Sequence, residues 1–257
     1  MEGDKSMKLT IEEIQAIETE MVKEVVEICE GNNITYFLHC GSALGAVRHQ
    51  GPIPWDYDVD IVVPYNQIKR FINVARKELS RKYYLDYYDN NKLYPFLFPR
   101  IGLSGYSTHT LHVDIFNLVG ISDNKNEQIV YTRKARILNF IFEYKLDTKK
   151  YSGQFSPRRR RYIYLFKLFS LPIRRSILIK LFEEHCTKYP YDTAVYVTNP
   201  SGHYGLKNVV KKSLYGKGTK VKYSGFTVKI PEHYNAYLSH YYGDYMQLPP
   251  TEKRNIK

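Results

Sequence analysis

The sequence has few cysteines and no long apolar segment. Its 257 residues include only three cysteines, Cys29, Cys40 and Cys186, and no CxxC spacing. A small, odd number of separated cysteines argues against a disulfide framework or a structural zinc site. No apolar run approaches the roughly 18 residues that a membrane-spanning helix needs, and the N-terminus shows no charged-then-apolar leader. We therefore expect residues 1–257 to form a single catalytic domain, large enough for a substantial core, in the cytoplasm.

Negative charge is the minority sign in this chain. The net charge of +12 comes from 38 Lys and Arg residues against 26 Asp and Glu residues, which favours an anionic partner. Nucleic acid is not expected, because the positive charge is not spread along the chain and no aromatic-basic RNA-binding motif is present.

Much of the positive charge lies in one segment, residues 156–187. Between its cations this segment is almost wholly Leu, Ile, Phe and Tyr, and Pro172 is expected to divide it into two amphipathic helices. Two interpretations stay open. The helices either pack in the core with their arginines in solvent, or make peripheral contact with an anionic membrane on its inner face.

Alternating aspartates indicate a metal site. Asp56, Asp58 and Asp60 run into the apolar stretch Ile61 to Val63, and on an extended chain residues two apart point to the same side. Asp58 and Asp60 can therefore bind one cation, and Mg²⁺ or Mn²⁺ suits them because hard cations prefer carboxylate and phosphate oxygens. Without a cation, three neighbouring carboxylates would repel one another.

Two further features complete the predicted site. Gly41 and Ser42 follow an apolar run and begin a helical stretch, so their backbone N–H groups are placed to bind a phosphate at a helix N-terminus. Asp114 lies between the apolar residues of a later strand, Leu111 to Phe116, where an unpaired charge is costly. We expect Asp58, Asp60 and Asp114 to form a three-carboxylate cluster.

The motifs resemble those of LicD-type phosphotransferases, which are related to the catalytic domain of fukutin-related protein. The resemblance extends over about residues 8 to 254. It rests on five segments: Cys40-Gly-Ser-Ala-Leu-Gly-Ala-Val-Arg-His49, Ile53-Pro-Trp-Asp-Tyr-Asp-Val-Asp-Ile61, Val113-Asp-Ile-Phe116, Tyr204-Gly-Leu-Lys207 and Tyr242-Gly-Asp-Tyr-Met-Gln-Leu-Pro-Pro250. Two positions depart from the family pattern, since Tyr57 interrupts its acidic run and Asn208 replaces a common Glu. We expect these two departures to affect which substrate the site accepts.

The resemblance implies a fold and a reaction. The implied fold is α/β (α+β), a nucleotidyltransferase-like mixed sheet flanked by helices, with a more helical C-terminal half. The implied reaction moves a phosphorylated alcohol, most familiarly phosphocholine, from a CDP-linked donor to a hydroxyl of a glycan, which is often still lipid-linked. It uses a divalent metal. Such an enzyme modifies a cell-surface glycan such as lipopolysaccharide, teichoic acid or capsule.

The predicted catalytic roles follow from this chemistry. Asp58 and Asp60 hold Mg²⁺ on the donor pyrophosphate. Asp114 is the general base for the acceptor hydroxyl, or instead a third metal ligand. Asp56 supports the site as a neighbouring group or helix cap.

Five further residues are candidates for substrate binding. Arg48 and Arg100 are placed near the site and suit a bidentate contact with phosphate. His49 and Lys207 are candidate contacts for phosphate or acceptor, although a histidine at a helix C-terminus is also a common cap. Trp55, beside the aspartates in a chain with 25 tyrosines, suits a choline cage built from cation–π contacts.

Other functions remain open at this point. The same metal chemistry suits another CDP-activated donor, such as CDP-ribitol, CDP-glycerol or CDP-ethanolamine, or a nucleotidyl transfer. A catalytically silent binding protein on the membrane surface is a third hypothesis, which the intact aspartates disfavour.

The local patterns predict the following elements. A Thr10–Glu13 capping box begins a helix that ends near Glu30. Strands are expected at 34–39, 58–63, 82–88, 95–103 and 110–116, with the aspartates near one edge of the sheet. Helices are expected from Ser42, over 65–79 and after Pro231, and a hairpin with a Ser-Gly turn over 220–229.

Overall fold

A mixed β-sheet organises the parts of the chain that the structure, a computed structural model, describes: residues 9–146 and 173–254. Within them the sheet has seven strands: β1 (Phe37–Leu38), β2 (Val59–Pro64), β3 (Tyr83–Asp86), β4 (Arg100–Leu103), β5 (His112–Ile121), β6 (Tyr196–Thr198) and β7 (Val210–Lys211). The order is β1-β2-β5-β4-β3, and β6 joins β5 to β7. Only the β2–β5 pair is parallel among these described pairs.

Six helices and one hairpin surround the sheet within the described residues. They are α1 (Ile11–Gly31), α2 (Cys40–His49), α3 (Tyr65–Glu78), α4 (Lys125–Leu146), α5 (Arg175–Thr187), α6 (Tyr234–Tyr242) and the hairpin β8 (Thr219–Tyr223) with β9 (Phe226–Ile230). The mixed, helix-flanked sheet confirms the predicted fold class.

The two central strands explain the position of the core. β2 and β5 read as nearly continuous apolar runs, which is the pattern of strands buried on both faces. Their side chains join α1 and α3 in one cluster that includes Val25, Ile61, Phe71 and Ile115. The far end of β5 packs with α4 and α5 in a second cluster. A charged residue on β2 or β5 is therefore held rigidly.

The predicted start of α1 and the predicted hairpin are confirmed, whereas the helix expected from Ser42 begins two residues earlier, at Cys40. The backbone N–H of Glu13 donates to the Thr10 hydroxyl at 3.2 Å, and the Thr10 N–H donates to the Glu13 carboxylate at 2.7 Å. The hairpin turns at Ser224 and Gly225, both with positive φ, +48° and +92°. Two successive residues of positive φ are typical of the turn that joins short hairpins.

Several predicted strands are shorter in the structure. Residues 34–36 stay outside β1 because their backbone groups have other partners: the N–H of Ile34 donates to the Cys29 carbonyl, and that of Thr35 to the Gln67 side chain. Residues 95–99 stay outside β4, a stretch in which Pro95 and Pro99 have no N–H to donate. β5 runs on to Ile121 because β6 pairs with its second half.

The structure defines the position of the aspartates in the sheet. Asp60 is on β2, which lies between the edge strand β1 and β5, and Asp114 is on β5, which β2 and β4 flank. Sequence patterns give the strands but not their order, which depends on contacts between distant segments.

The predicted basic segment is described only in part. Residues 156–172, which include the expected division at Pro172, lie outside the described residues. In α5, Leu178, Phe182 and Cys186 are buried, and Arg175 donates to the Tyr94 carbonyl at 2.9 Å while lying 4.5 Å from the centre of the Phe142 ring. Arg175 is therefore bound within the fold, and membrane contact stays a prediction. Along the described stretches, every helix is too short or too polar to cross a membrane.

Candidate active site

A row of charged side chains crosses the centre of the sheet. Asp60 on β2 pairs in register with Asp114 on β5, Asp114 pairs with Arg100 on β4, and Arg100 pairs with Asp86 on β3. Paired residues on neighbouring strands point to the same face and lie about 5 Å apart. Three carboxylates and one guanidinium therefore share one face of the sheet.

Arg100 and Asp114 form a buried ion pair. Arg100 Nε donates to Asp114 Oδ1 at 2.6 Å and Nη2 donates to Oδ2 at 3.3 Å, while Nη1 donates to the Thr108 carbonyl at 3.0 Å. The guanidinium also lies 4.0 Å from the centre of the Phe96 ring. The Arg100 guanidinium, which was expected to bind phosphate, thus binds the Asp114 carboxylate. Arg100 therefore positions that carboxylate.

Asp56 and Asp58 lie on the loop that enters β2, and α1 fixes this loop. The Gln15 side chain donates to the carbonyls of Ile53 and Asp56. β2 begins at Val59, so Asp58 precedes the strand and is exposed, whereas Asp60 is half-buried within it. The loop presents Asp58 to solvent next to the fixed carboxylate of Asp60.

The expected three-carboxylate cluster is not assembled. Across residues 9–146 and 173–254, no three His, Cys, Asp or Glu side chains are grouped closely enough to hold one metal ion. Asp114 is held away by its ion pair with Arg100. A cation here would take two protein carboxylates and fill its other positions with water or phosphate oxygens, which is the usual way that proteins bind Mg²⁺.

The start of α2 carries the predicted phosphate-binding turn. The cap residue His39 gives no side-chain hydrogen bond to this helix, and its first turn has no acidic residue, so the positive end of the helix dipole is available to an anion. At Gly41 a Cβ would lie 3.2 Å from Asp56 Oδ2, so a side chain there would crowd the aspartate. The Ser42 hydroxyl accepts the Asp60 N–H at 2.8 Å and thereby fixes Asp60 beside this turn.

Two tyrosines that were not among the candidate residues also face the site. Electrostatic contacts connect both Tyr204 and Tyr242 with Asp60 and Cys40, and a hydrogen bond joins the two tyrosines. Burial, with these neighbouring groups, raises the pKa of each hydroxyl above its usual range, so both stay protonated donors. Both tyrosines are the first residues of motifs shared with the family, at 204 and 242, and this position in the sequence could have indicated them as site residues.

Arg48, His49 and Trp55 come together in one cluster near the C-terminus. Arg48 Nε lies 3.0 Å from His49 Nε2, and its Nη1 donates to the Tyr245 carbonyl at 2.9 Å. Arg48 and Arg254 lie 5.9 and 4.9 Å from the Trp55 ring centre. In this arrangement the indole contacts two arginines, and its part in a choline cage stays a prediction.

Lys207 lies on the opposite border, where the Gly205–Asn208 turn meets α6. Its Nζ donates to the Tyr241 carbonyl at 2.7 Å, and the Lys207 carbonyl lies 2.7 Å from His240 Nε2. Lys207 is an exposed residue. Its ammonium therefore holds α6 through this hydrogen bond, and its contact with phosphate or acceptor stays a prediction.

Burial and mutual repulsion make these carboxyl groups hold their protons. Burial, then the charge of Asp58 and a hydrogen bond with it, raises the pKa of Asp56 to about 7. Burial, with the charges of Asp58, Asp114 and Asp56, raises the pKa of Asp60 well above its usual range, and Arg100 opposes this only weakly. The single guanidinium of Arg100 faces several carboxyl groups and cannot neutralise all of them. The remaining carboxyl groups therefore fit a divalent cation.

A further carboxyl group near the site, that of Glu18, was not among the candidate residues. It lies on the buried face of α1, one turn after Gln15, and is 1% exposed. Burial and the charges of Asp58, Asp114 and Asp56 raise its pKa to about 9, although the backbone N–H of His112 favours the charged form. A glutamate among apolar helix positions is a signal that could have indicated it.

The raised pKa of Glu18 predicts how stability depends on pH. Between pH 7 and 9 the metal-free folded protein retains the Glu18 proton that the unfolded chain, with a glutamate pKa of about 4.3, has lost. The free energy of unfolding should therefore fall as pH rises through this range, by up to about 1.4 kcal/mol per pH unit for this group. Urea unfolding in EDTA at pH 7, 8 and 9 measures it. Glu18→Gln should make this slope smaller, with Asp56 and Asp60 supplying the rest of it, and equal slopes in both proteins would contradict the assignment.

A cleft of about 500 Å³ opens beside Asp114. Phe96, Phe98 and Arg100 line it from the sheet side, and Asn139 and Glu143 of α4 line it from the other. Volumes of this size accommodate a small-molecule substrate. Two members of the row of charges, Arg100 and Asp114, thus line a cleft with both aromatic and polar walls.

Comparison with known proteins agrees with this geometry. A family model described as the LicD/FKTN/FKRP nucleotidyltransferase domain matches residues 33–138. The lipopolysaccharide cholinephosphotransferase LicD of Haemophilus influenzae is 25% identical over 95% of this chain and 94% of its own length. The human ribitol 5-phosphate transferase FKRP is 50% identical over 42 residues, which are 16% of this chain and 8% of that protein. The family match covers β1 to β5 and so every aspartate of the site.

Proposed function

We propose that the chain is a LicD-type phosphotransferase, since the model of that nucleotidyltransferase domain matches residues 33–138 and a LicD protein matches most of its length. We further propose that it transfers phosphocholine from CDP-choline to a hydroxyl group of a cell-surface glycan precursor. The observation that carries this proposal is the in-register pair Asp60 and Asp114, of which Asp114 lines the 500 Å³ cleft. In the reaction, the acceptor oxygen forms a bond to the choline-bearing phosphorus while the bond from that phosphorus to CMP breaks.

Asp58 and Asp60 are the residues that would hold the divalent cation, Mg²⁺ or Mn²⁺. When bound, such an ion neutralises charge on the donor pyrophosphate and on the departing CMP. Gly41 contributes a backbone N–H at the start of α2, where an anion is favoured. Ser42 keeps Asp60 in place through its hydrogen bond to the Asp60 N–H. These groups orient the donor before transfer.

Asp114 is the proposed acceptor of the proton from the attacking hydroxyl. Its two oxygens are held unequally, since Arg100 lies 2.6 Å from Oδ1 and 3.3 Å from Oδ2. Oδ2 is the less firmly bound oxygen and so the one to take the proton. A base must lie within about 2.6 to 3.2 Å of the hydroxyl that it deprotonates, and the cleft beside Asp114 provides room for an acceptor there.

A donor screen tests the proposal. Thermal unfolding is measured with Mg²⁺ and CDP-choline, CDP-ethanolamine, CDP-ribitol or CDP-glycerol. A ligand that binds only the folded state at 100 times its Kd stabilises by about 2.7 kcal/mol. CDP-choline should give the largest rise in melting temperature, and CMP should be released when a glycan acceptor is added. A larger response to another donor would overturn the phosphocholine assignment.

A second candidate keeps the site and changes the donor. The 42-residue match to a ribitol 5-phosphate transferase favours CDP-ribitol as that alternative. The screen separates the two, because CDP-ribitol lacks the quaternary ammonium that aromatic walls bind. A membrane-associated glycan acceptor stays a proposal for either donor.

A further inference from the structure

The His39–Ser42 turn, between β1 and the body of α2, holds the backbone of Asp60 on both sides. The Asp60 N–H donates to the Ser42 hydroxyl at 2.8 Å, and the Asp60 carbonyl accepts the His39 N–H at 2.9 Å. The turn is also closed on itself, because the Ser42 N–H donates to the His39 carbonyl at 3.0 Å. The position of Asp60 therefore depends on the groups that hold this turn in place.

One hydroxyl group from α6, that of Tyr237, contacts the His39–Ser42 turn at two successive residues. The hydroxyl oxygen lies 2.8 Å from His39 Nδ1, and it accepts the backbone N–H of Cys40 at 3.3 Å. The Cys40 Sγ lies 3.8 Å from the same oxygen. These distances are those of hydrogen bonds, so a residue almost 200 positions away along the chain is bound directly to the turn.

Cys40 needs such a contact because its backbone is strained. Its φ of +42° lies in the left-handed region, which residues with a Cβ rarely adopt. Strained backbone of this kind persists only where the surrounding structure holds it. The Tyr237 hydroxyl holds it here through the Cys40 N–H. If Cys40 relaxed, the following peptide would rotate and the Ser42 hydroxyl would move away from the Asp60 N–H.

The ring of Tyr237 is itself fixed in the core. Tyr237 is fully buried, and the rings of Tyr215 and Tyr241 pack against it with centroid distances of 5.4 and 5.0 Å. The Tyr215 hydroxyl is a more distant neighbour of His39 Nδ1, at 3.5 Å. The Tyr237 hydroxyl therefore has one position, and the turn that it contacts is held at that position.

We propose that Tyr237 is a positioning residue for Asp60, on which it acts through His39 and Cys40. The proposal rests on the proposed function, in which Asp60 holds the divalent cation. Groups that orient a metal-binding side chain commonly change the metal affinity about 10- to 100-fold when they are removed. Tyr237 thus contributes to the site by keeping the Asp60 carboxylate where a cation can use it.

Direct Mn²⁺ binding in the presence of CDP tests the proposal without a turnover assay. The loss of the free Mn²⁺ signal in electron paramagnetic resonance is titrated for wild type, Tyr237→Phe and Tyr131→Phe. Tyr131 is the matched control, because it is also buried and its hydroxyl donates to the His185 carbonyl at 2.9 Å in the second core cluster. Each variant loses one buried hydroxyl, so both should lower the melting temperature similarly. Tyr237→Phe should weaken Mn²⁺ binding about tenfold, and Tyr131→Phe less than about twofold.

Hydrogen exchange of the metal-free proteins is the second measurement. Residues 39–42 and the Asp60 amide should exchange faster in Tyr237→Phe than in wild type, and at wild-type rates in Tyr131→Phe. Adding Cys40→Gly to Tyr237→Phe should restore part of the Mn²⁺ affinity, because glycine adopts positive φ without strain. The double variant also provides a test if Tyr237→Phe alone does not fold.

The outcomes separate this proposal from the proposed function. Wild-type Mn²⁺ affinity in folded Tyr237→Phe would overturn the positioning role, and so would equal losses in the two tyrosine variants, since a general loss of stability would explain both. No recovery with Cys40→Gly would overturn the role given to Cys40. If wild type binds no Mn²⁺, the metal site of the proposed function is rejected, and the exchange rate of the Asp60 amide decides whether Tyr237 holds Asp60.

Discussion

Asp60→Asn is expected to abolish transfer while the protein stays folded. The variant loses one of the two carboxylates proposed for the cation, so kcat/KM should fall at least about a hundredfold, or about 2.7 kcal/mol of transition-state stabilisation. Asparagine resembles the protonated form that burial and the neighbouring carboxylates favour at this position. The melting temperature without metal should therefore not fall. CMP release from the donor and thermal unfolding measure the two effects.

An exposed aspartate provides the control for this experiment. Asp123 lies in the loop before α4, is exposed, and is far along the chain from the motif, so Asp123→Asn should leave both measurements unchanged. If Asp60→Asn kept more than about a tenth of the wild-type rate with saturating Mg²⁺, an effect below 1.4 kcal/mol, the proposed two-carboxylate site would be wrong.

Asp114→Asn is expected to do something different, namely to destabilise the fold. Arg100 is only 8% exposed, and Asp114 is its charged partner at 2.6 Å. Removing one member of a buried ion pair leaves an uncompensated charge and typically costs about 3–5 kcal/mol. Urea unfolding should show this loss. The loss of activity in this variant is then a mixture of chemistry and stability, unlike that of Asp60→Asn.

The chain contains a matched surface pair for comparison. Arg76 and Asp89 form the same kind of forked ion pair with partly exposed side chains, and exposed pairs contribute about 0 to 1 kcal/mol. Asp89→Asn should therefore cost less than about 1 kcal/mol. Removing both charges in Arg100→Met with Asp114→Asn should cost less than the sum of the single variants. Additive losses would mean that the two side chains are not coupled.

Local chemistry made much of this protein predictable. The Thr10–Glu13 capping box, the amphipathic pattern of α3 and the Ser224–Gly225 turn each depend on residues a few positions apart, and all three elements formed as predicted. The alternating aspartates were also recognisable, because their side chains follow the two-residue period of a strand. Strand ends were less predictable, since residues 34–36 bond to distant groups instead of to β2.

Tertiary contacts decided how the charges are used. Asp58, Asp60 and Asp114 were identifiable as a set of carboxylates from the sequence alone, together with the family motifs around them. That Arg100 neutralises Asp114, and not a phosphate, depends on the β4–β5 register. That the Glu18 carboxyl group is buried depends on how α1 packs on β5. A sequence therefore determines which charged groups are present and their local periodicity, but their energies are set by burial and by neighbours that only the folded chain brings within a few ångströms.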